Sequence, residues 1–206
     1  VETSSQAIAV HGDVGTPADI DALFKAADAF GPVRGLVNNA GVVDQARRVD
    51  EIGPERLDRM MRVNVTGSIL CAGQAVRRMS SRHGGPGGAI VNLSSIAAVL
   101  GGSGQYVDYA ASKGAIDTFT RGLAREVAVE GVRVNAVRPG IIDTDIHASG
   151  GQPDRVRQLR SIVPMKREGT ADEVAAAIVW LLSDEASYVT GATLDARAAR
   201  AEATGA

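Results

Sequence analysis

Short apolar runs alternate along the chain with longer segments of helical periodicity. Five such runs have the length of short buried strands, at 6–10, 35–37, 89–93, 132–137 and 192–195. Apolar residues spaced three and four positions apart predict helices between these runs. Strands that alternate with helices in this way form a parallel sheet with helices on its faces. The predicted fold is therefore α/β, with a doubly wound parallel sheet.

Each predicted helix presents an apolar stripe to the core. Thr16 caps the first helix, and Thr170 with Glu173 forms a capping box that opens the last one. A long helical region covers 54–80, and another helix opens near Asp108. We expect these side chains to face the core: Ile20, Leu23, Phe24, Ala27, Leu57, Met60, Met61, Val65, Ile116, Phe119, Leu123 and Val127.

Composition indicates one globular domain over residues 1–206. The chain has 206 residues, 45% of them hydrophobic, which is enough apolar material for a core. The net charge of −2 provides no basic face for nucleic acid or for an anionic membrane. A single cysteine excludes a disulfide within the chain, and the histidines have no metal-ligand spacing. No membrane span or signal peptide is recognisable, so we expect a soluble, cytoplasmic protein without a metal site.

Side chains that could take part in catalysis follow the strand at 89–93. Ser94 and Ser95 end that strand, and Tyr109 and Lys113 lie one helical turn apart on the next helix. A cation one turn away stabilises a phenolate and lowers the tyrosine pKa from about 10. A nearby serine hydroxyl can bind a substrate oxygen while a proton moves. A surface Tyr–Lys pair is the plain alternative, and the serines at the strand end favour the catalytic interpretation.

Further motifs occur in a definite order along the chain. They are Asp13-Val14, Asn38-Asn39-Ala40-Gly41, Asn64-Val65-Thr66-Gly67, Ser95, Tyr109-x-x-x-Lys113 and Pro139-Gly140-x-x-x-Thr144. Together they resemble the short-chain dehydrogenase/reductase family, from about Ala7 to about Asp195. The resemblance implies a Rossmann-like fold and an NAD- or NADP-dependent oxidoreductase. The reaction that it implies interconverts a secondary alcohol and a ketone, so the partner is a small carbonyl or alcohol substrate.

The resemblance also assigns roles at the catalytic site. Tyr109 is the general acid/base, Lys113 lowers its pKa and holds the nicotinamide ribose, and Ser95 polarises the substrate oxygen. Asn64 completes a proton relay through a water, although a polar residue on a wet helix face is its plain alternative. Ser95 is preferred to Ser94 because its spacing from the tyrosine is nearer to the family pattern.

Cofactor contacts are implied at the carboxyl ends of the strands, where ligands bind in sheets of this class. Asp13, with Val14 beside it, is expected at the adenine. The backbone of Asn39, Ala40 and Gly41 is expected at the adenosine ribose. Thr144 is expected at the nicotinamide carboxamide, and Pro139 and Gly140 supply the remaining contacts.

Three regions outside this site carry separate expectations. The segment 141–169 is too long for a plain connection and is expected to be a lid over the substrate. The alanine- and arginine-rich residues 196–206 are expected to form a loose tail. The helices at 54–80 and 108–129 pair between subunits in relatives, so we expect a homodimer or homotetramer, with packing inside one chain as the alternative.

One family motif does not occur in the sequence. No Gly-x-x-x-Gly-x-Gly phosphate turn is present, so we expect a strand–helix–strand unit that carries it to precede Val1. A catalytically silent fragment or binding module is the alternative function that this absence favours. A hydrolase using Ser95 is a third possibility, but it lacks Gly-x-Ser-x-Gly and a histidine nearby in the sequence.

Overall fold

The computed structural model describes residues 6–198. Helices and strands alternate through most of this range. The helices are α1 (Pro17–Phe30), α2 (Pro54–Met61), α3 (Ser68–Met79), α4 (Ala97–Leu100), α5 (Val107–Val127), α6 (Ile146–Ser149), α7 (Arg155–Leu159) and α8 (Ala171–Leu182). The strands are β1 (Gly35–Asn38), β2 (Gly88–Leu93), β3 (Val132–Pro139) and β4 (Thr193–Ala196). A π-helical segment, Arg62–Gly67, joins α2 directly to α3.

The four strands form one parallel sheet in the order β1-β2-β3-β4. Alternate residues of β2 point to opposite faces, as the pleat requires. Ile90 packs in a core with side chains of α1, α3 and α5. Val91 and Leu93 pack in a second core with side chains of α8. The prediction of a doubly wound α/β fold is therefore confirmed.

Helix α8 is fixed at both ends by groups that its sequence supplies. At its start, the Thr170 hydroxyl accepts a hydrogen bond from Glu173 N at 3.2 Å, and the Glu173 carboxylate accepts one from Thr170 N at 2.9 Å. At its end, the Arg133 guanidinium of β3 donates to the carbonyls of Leu181, Leu182 and Ser183. The carbonyls of Leu181 and Leu182 lie in the last turn of the helix, where carbonyl groups lack a partner within the helix, and a cation is favourable beside them.

A buried polar ladder crosses the face of the sheet under α3 and α5. Asn38 of β1 and Asn92 of β2 are register partners, and Asn38 Nδ2 donates to Asn92 Oδ1 at 2.9 Å. Asn38 Nδ2 also donates to Ser68 O, and Asn92 Nδ2 donates to Thr120 Oγ1. Both side-chain amide nitrogens of this ladder are thus hydrogen-bonded although the residues are buried.

The expected strand at 6–10 is wrong. A strand exists only through pairing, and this segment pairs with none of the four strands within residues 6–198. Ile8 and Val10 are exposed, and β1 forms the edge of the described sheet. The last strand begins and ends one residue later than predicted. Ala196 pairs with Pro139, so it belongs to the sheet and not to a tail, and residues 199–206 lie outside the described range.

The core stripe expected along 54–80 is only partly correct. Met60 is buried, but Leu57 and Met61 are each 41% exposed. The π-helical segment changes the phase of the helix at this point, and Val63 and Asn64 turn inward. Leu23, on α1, is likewise exposed. Within residues 6–198, no helix has the length and apolar character needed to cross a membrane.

Candidate active site

Ser94 and Ser95 leave the end of β2 in different environments. Ser94 is buried, its backbone N–H donates to Val137 O at 2.8 Å, and its hydroxyl donates to Lys113 O at 3.2 Å. The Ser95 hydroxyl is only partly buried and accepts a hydrogen bond from Ala97 N at 3.1 Å. The first serine therefore holds α5 against the sheet, and the hydroxyl of the second lies beside the Tyr109 phenol.

Tyr109 and Lys113 lie on one face of α5, as their spacing predicts. The Lys113 ammonium is 5.7 Å from the centre of the Tyr109 ring. It donates to Leu93 O, at the last residue of β2, at 2.7 Å. Because Lys113 is 5% exposed, this ammonium is held between the strand end and the phenol, in a position that excludes most water.

Burial dominates the ionisation of both groups. It raises the pKa of Tyr109, and a hydrogen bond with Ser95 lowers that pKa by less. Burial also lowers the pKa of Lys113 to about 8, against the opposing field of Asp117. The predicted lowering of the tyrosine pKa is therefore wrong for this arrangement, because losing the hydration of the phenolate outweighs its hydrogen bond. At neutral pH Tyr109 carries its proton and Lys113 carries its charge.

Asn64 is 1% exposed and fixes the loop that follows β1. Its amide oxygen accepts from Val42 N at 2.7 Å, and its amide nitrogen donates to Val42 O at 2.9 Å. The same nitrogen donates to Ser112 Oγ at 3.1 Å, and Ser112 donates to Tyr109 O at 2.7 Å. Asn64 is therefore no surface residue on a wet face. It connects the β1 loop to the turn of α5 that carries Tyr109.

Gly41 lies where this loop meets the catalytic helix. A Cβ added at Gly41 would be 3.4 Å from both Lys113 Nζ and Asn64 Oδ1. The two residues before it, Asn39 and Ala40, are exposed at the end of β1. The structure thus brings Gly41, Asn64 and Lys113 together.

Asp13 and Val14 form a tight turn beside the π-helical segment. The Asp13 carboxylate accepts from Gly15 N at 2.8 Å, and Asp13 N donates to the Asp19 carboxylate at 2.9 Å. Val14 approaches the helix so closely that a Cβ on Gly67 would be 2.6 Å from Val14 O. The Asp13 side chain remains exposed at this end of the molecule.

Pro139 and Gly140 lie beside the serines, but Thr144 does not join them. Pro139 O accepts from Ile96 N at 3.1 Å, which joins the end of β3 to the residue after Ser95. Thr144 is exposed and lines an open cleft of about 530 Å³ formed by residues of the 143–156 region with Ala171. Ser95, Tyr109 and Lys113 are not among the residues that line this cleft.

The site fits a hydroxylated ligand such as the ribose of a nicotinamide cofactor. An ammonium has three donor hydrogens, and within residues 6–198 the Lys113 ammonium makes one hydrogen bond, to Leu93 O. The backbone of Gly41 beside it carries no side chain that would block an approach. Two donors on a buried cation thus remain available for ribose hydroxyls.

Several residues around the site have no obvious signal in the sequence. Arg56 of α2 and Asp108 of α5 form a buried ion pair with an N–O distance of 2.7 Å. Asp117 Oδ2 accepts two hydrogen bonds from Arg138, whereas its buried Oδ1 has no partner within the described residues. The partners in both pairs lie more than twenty positions apart, so spacing could not have found them.

Comparisons with known proteins agree with this geometry. The family model that matches residues 1–196 is described as Enoyl-(Acyl carrier protein) reductase. The chain is 52% identical over 195 residues to the uncharacterized oxidoreductase YgfF of Escherichia coli, covering 94% of this chain and 79% of that protein. It is 40% identical over 195 residues to 3beta-hydroxysteroid dehydrogenase 1 of Eggerthella lenta, covering 94% of this chain and 73% of the relative.

Solved structures have the same fold. The 3-ketoacyl-(acyl-carrier-protein) reductase of Brucella melitensis, complexed with NADH, superposes with a TM-score of 0.87 at 32% identity. That match covers 94% of this chain and 78% of the other. A blue fluorescent protein from a metagenomic library, in complex with NADPH, superposes with a TM-score of 0.80 at 33% identity, covering 90% and 72% of the two chains. The chain belongs to the short-chain dehydrogenase/reductase family of NAD(P)-dependent oxidoreductases.

Proposed function

We propose that the protein interconverts a secondary alcohol and a ketone, with Tyr109 as the general acid/base. The observation that carries this proposal is the convergence of the Ser95 hydroxyl, the Tyr109 phenol and the buried Lys113 ammonium at the carboxyl end of β2. The cofactor, when bound, supplies or accepts the hydride. The protein must then move one proton to or from the substrate oxygen, and the phenol is the acid that lies there.

Each catalytic residue has a role that its surroundings support. In the reduction direction Tyr109 donates its proton to the carbonyl oxygen as that oxygen gains negative charge. Its raised pKa keeps the proton on the phenol until then. The Ser95 hydroxyl donates a hydrogen bond to the same oxygen. Lys113 favours the phenolate that remains, and Asn64, which holds the β1 loop, belongs to the path by which the phenol recovers a proton.

We assign the cofactor contacts to the strand ends and the turns beside them. Lys113 binds the nicotinamide ribose through its two remaining donors. Asp13 and Val14 lie at the adenine, and the backbone of Asn39, Ala40 and Gly41 lies along the adenosine ribose. Pro139, Gly140 and Thr144 contribute on the nicotinamide side. The exposed cleft that Thr144 lines does not include Ser95, Tyr109 or Lys113.

The test compares two tyrosines that differ in position. Tyr109→Phe removes the proposed acid/base, and Tyr188→Phe removes an equivalent hydroxyl from a fully exposed side chain. With ketones and secondary alcohols as substrates, we expect Tyr109→Phe to lose roughly 10²–10⁴-fold in kcat and Tyr188→Phe to match wild type. NADH and NADPH binding, followed by fluorescence, should stay within a few-fold in both variants. Near-normal turnover by Tyr109→Phe would remove the residue from this role.

A silent binding module is the second candidate, and the same measurements separate it from the enzyme. Such a module would bind cofactor or substrate and turn over none of the compounds, with or without Tyr109. A hydrolase using Ser95 finds no support in the hydrogen bonds of residues 6–198. The Ser95 hydroxyl accepts from Ala97 N, and the His147 ring contacts Ile142 O instead.

We also propose that copies of the chain associate through α2, α3 and α5. The observation behind this is a set of apolar side chains on α2 and α3 that are each about two-fifths exposed, namely Leu57, Met61, Ile69 and Leu70. Exposed apolar surface of this kind marks association sites. Sedimentation velocity should give a dimer or tetramer, and Met61→Glu should weaken it. A wild-type monomer at micromolar concentration would contradict the proposal.

A further inference from the structure

A second polar cluster lies beside the acid/base and takes no part in the proposed proton transfer. The Tyr106 hydroxyl donates to Gln152 Oε1 at 3.0 Å. Arg155 Nη1 donates to the same oxygen at 2.6 Å, and its guanidinium lies 5.0 Å from the centre of the Tyr106 ring. One amide oxygen thus joins a phenol from the start of α5 to an arginine from α7.

The cluster is attached to the end of α5 that carries the acid/base. Tyr106 is the residue immediately before α5, three positions ahead of Tyr109, and its carbonyl accepts a hydrogen bond from Ala110 N, the residue after Tyr109, at 3.0 Å. On the opposite side, Gly150 and Gly151 of the same 141–169 segment pack against Val43 and Gln45 of the β1 loop. The segment therefore reaches both the catalytic helix and the loop that holds Gly41.

Arg155 has no carboxylate partner among the described residues, whereas the other arginines nearby in the sequence form ion pairs. Arg157 pairs with Asp154, Arg160 with Glu168 and Arg167 with Glu173. Among residues 6–198, Arg155 has no carboxylate within ion-pair distance, and its hydrogen bond to Gln152 uses one of five guanidinium donors.

The positive charge of Arg155 affects His147, another residue of the 141–169 segment. It lowers the pKa of His147, in addition to the larger effect of burial, whereas Asp143 opposes it. Arg155 is itself half-buried, so its charge is only partly screened by solvent. A half-buried arginine with free donors and no acidic partner is suited to an anion, because its planar fork matches a carboxylate or a phosphate.

We propose that Tyr106, Gln152 and Arg155 bind the remote end of the substrate, and that Arg155 selects substrates carrying a carboxylate or phosphate group. The proposal rests on the function proposed above. Gln152 orients the guanidinium, and Tyr106 supports its flat face, so that the outer edge of the fork is left for the anion. If the cluster served only to attach α7 to α5, the charge of the substrate would not matter.

Binding measurements test this without turnover. Two matched pairs of ketones serve as ligands, acetoacetate with its methyl ester and dihydroxyacetone phosphate with dihydroxyacetone. Each is titrated calorimetrically into the protein in the presence of NAD⁺ or NADP⁺, which cannot reduce a ketone. We expect the anionic member of at least one pair to bind more tightly than its neutral partner. The pair that shows the preference identifies the carboxylate or the phosphate as the preferred group.

Substitutions of Arg155 and of a neighbouring arginine show which side chain causes the preference for the anionic ligand. Arg155→Gln should weaken binding of the anionic ligand by about ten- to one-hundredfold, the usual size of a charge-assisted hydrogen bond, and leave the neutral ligand unchanged. Arg157→Gln is the matched control, because it removes an exposed arginine from the same helix, and it should change neither. Arg155→Lys, which keeps the charge and loses the fork, should fall between wild type and Arg155→Gln.

Each outcome separates this proposal from the proposed reaction. Equal binding of the charged and neutral members in both pairs, or no binding of any of the four, would overturn it. So would an anion preference that survives in a folded Arg155→Gln protein. An anion preference lost in Arg155→Gln together with unimpaired turnover by Tyr109→Phe would support the binding site and refute the catalytic role of Tyr109. An anion preference that survives in Arg155→Gln, together with lost turnover by Tyr109→Phe, would refute the binding site and support the catalytic role of Tyr109.

Discussion

Replacing glycine by alanine inside a helix usually stabilises a protein. Because Val14 lies so close to Gly67, we expect Gly67→Ala to destabilise this one. Gly67 has helical dihedral angles, φ −57° and ψ −47°, so alanine would suit the backbone there. Its Cβ, however, would lie 2.6 Å from Val14 O and 3.0 Å from Val14 Cγ2. The carbonyl oxygen belongs to the backbone and cannot rotate away as a side chain could. Alanine at this position must therefore push the Asp13–Val14 turn off the helix.

The magnitude follows from two opposing terms. Alanine gains up to about 1 kcal/mol over glycine in a helix. Overpacking typically costs about 1–3 kcal/mol, and contact with a rigid backbone atom belongs in the upper part of that range. We expect Gly67→Ala to lower the free energy of unfolding by about 1–2 kcal/mol. For a domain of this size that corresponds to a fall in Tm of roughly 2–8 °C.

Gly73 supplies the matched control on the adjoining helix α3. It is exposed, and a Cβ there would have nothing within 4 Å. Gly73→Ala should therefore raise stability by about 0.5–1 kcal/mol through helix propensity alone. Urea unfolding and thermal melting of both variants would measure the difference. If Gly67→Ala were as stable as wild type, the close approach of the turn to the helix would be refuted.

The same pair of variants tests the assignment of the turn to the cofactor. Because Asp13 and Val14 are displaced in Gly67→Ala, we expect weaker NAD(P)H binding in that variant and none of this loss in Gly73→Ala. Unchanged cofactor affinity in a destabilised Gly67→Ala protein would separate the turn from cofactor binding and leave the steric argument intact.

Three further predictions concern ionised and capping groups. The free energy of unfolding of wild type relative to Lys113→Met should rise between about pH 8 and 10.5. The reason is that the buried ammonium loses its proton near pH 8 in the folded state and near pH 10.5 in the unfolded state. A constant difference between the two proteins in urea unfolding across this range would contradict the prediction. Arg56→Ala should cost about 3–5 kcal/mol, because it leaves the Asp108 carboxylate buried and unpaired, whereas Arg48→Ala, in an exposed pair, should cost at most about 1 kcal/mol by the same assay. Thr170→Ala should cost about 1 kcal/mol by removing the cap of α8, and Thr170→Ser should recover most of it in thermal melts.

Local spacing predicted the parts of the fold and site that depend on neighbours in the sequence. The i, i+4 spacing placed Tyr109 and Lys113 on one face, and the Thr170–Glu173 box marked the start of α8 correctly. Both follow from helix geometry alone. Interactions between distant segments gave no comparable signal. The ion pair of Arg56 with Asp108 joins residues 52 positions apart, and no local pattern connects them.

Three features of the molecule differ from what its sequence predicts, each for a physical reason. The segment 6–10 is an apolar run of the length of a strand, but a strand forms only by pairing, and pairing is not a local property. Leu57 and Met61 were expected to face the core together with Met60, but they lie on α2 ahead of the π-helical segment, and of the three only Met60 is buried. The pKa of Tyr109 was predicted to fall because its charged neighbour could be read from the sequence, whereas its burial could not.

The Asn38–Asn92 pair has a consequence for how the sheet is assembled. Parallel strands of small and branched apolar residues can slide by two positions and still bury the same face. In such a slipped arrangement Asn38 would pair with Ile90, which lies two residues before Asn92 on β2. Both asparagines would then lose a buried hydrogen-bond partner. Each buried polar group left without a partner costs about 1–3 kcal/mol. The two amides therefore distinguish the native alignment of β1 from its nearest competitor, a discrimination that apolar burial alone would make poorly.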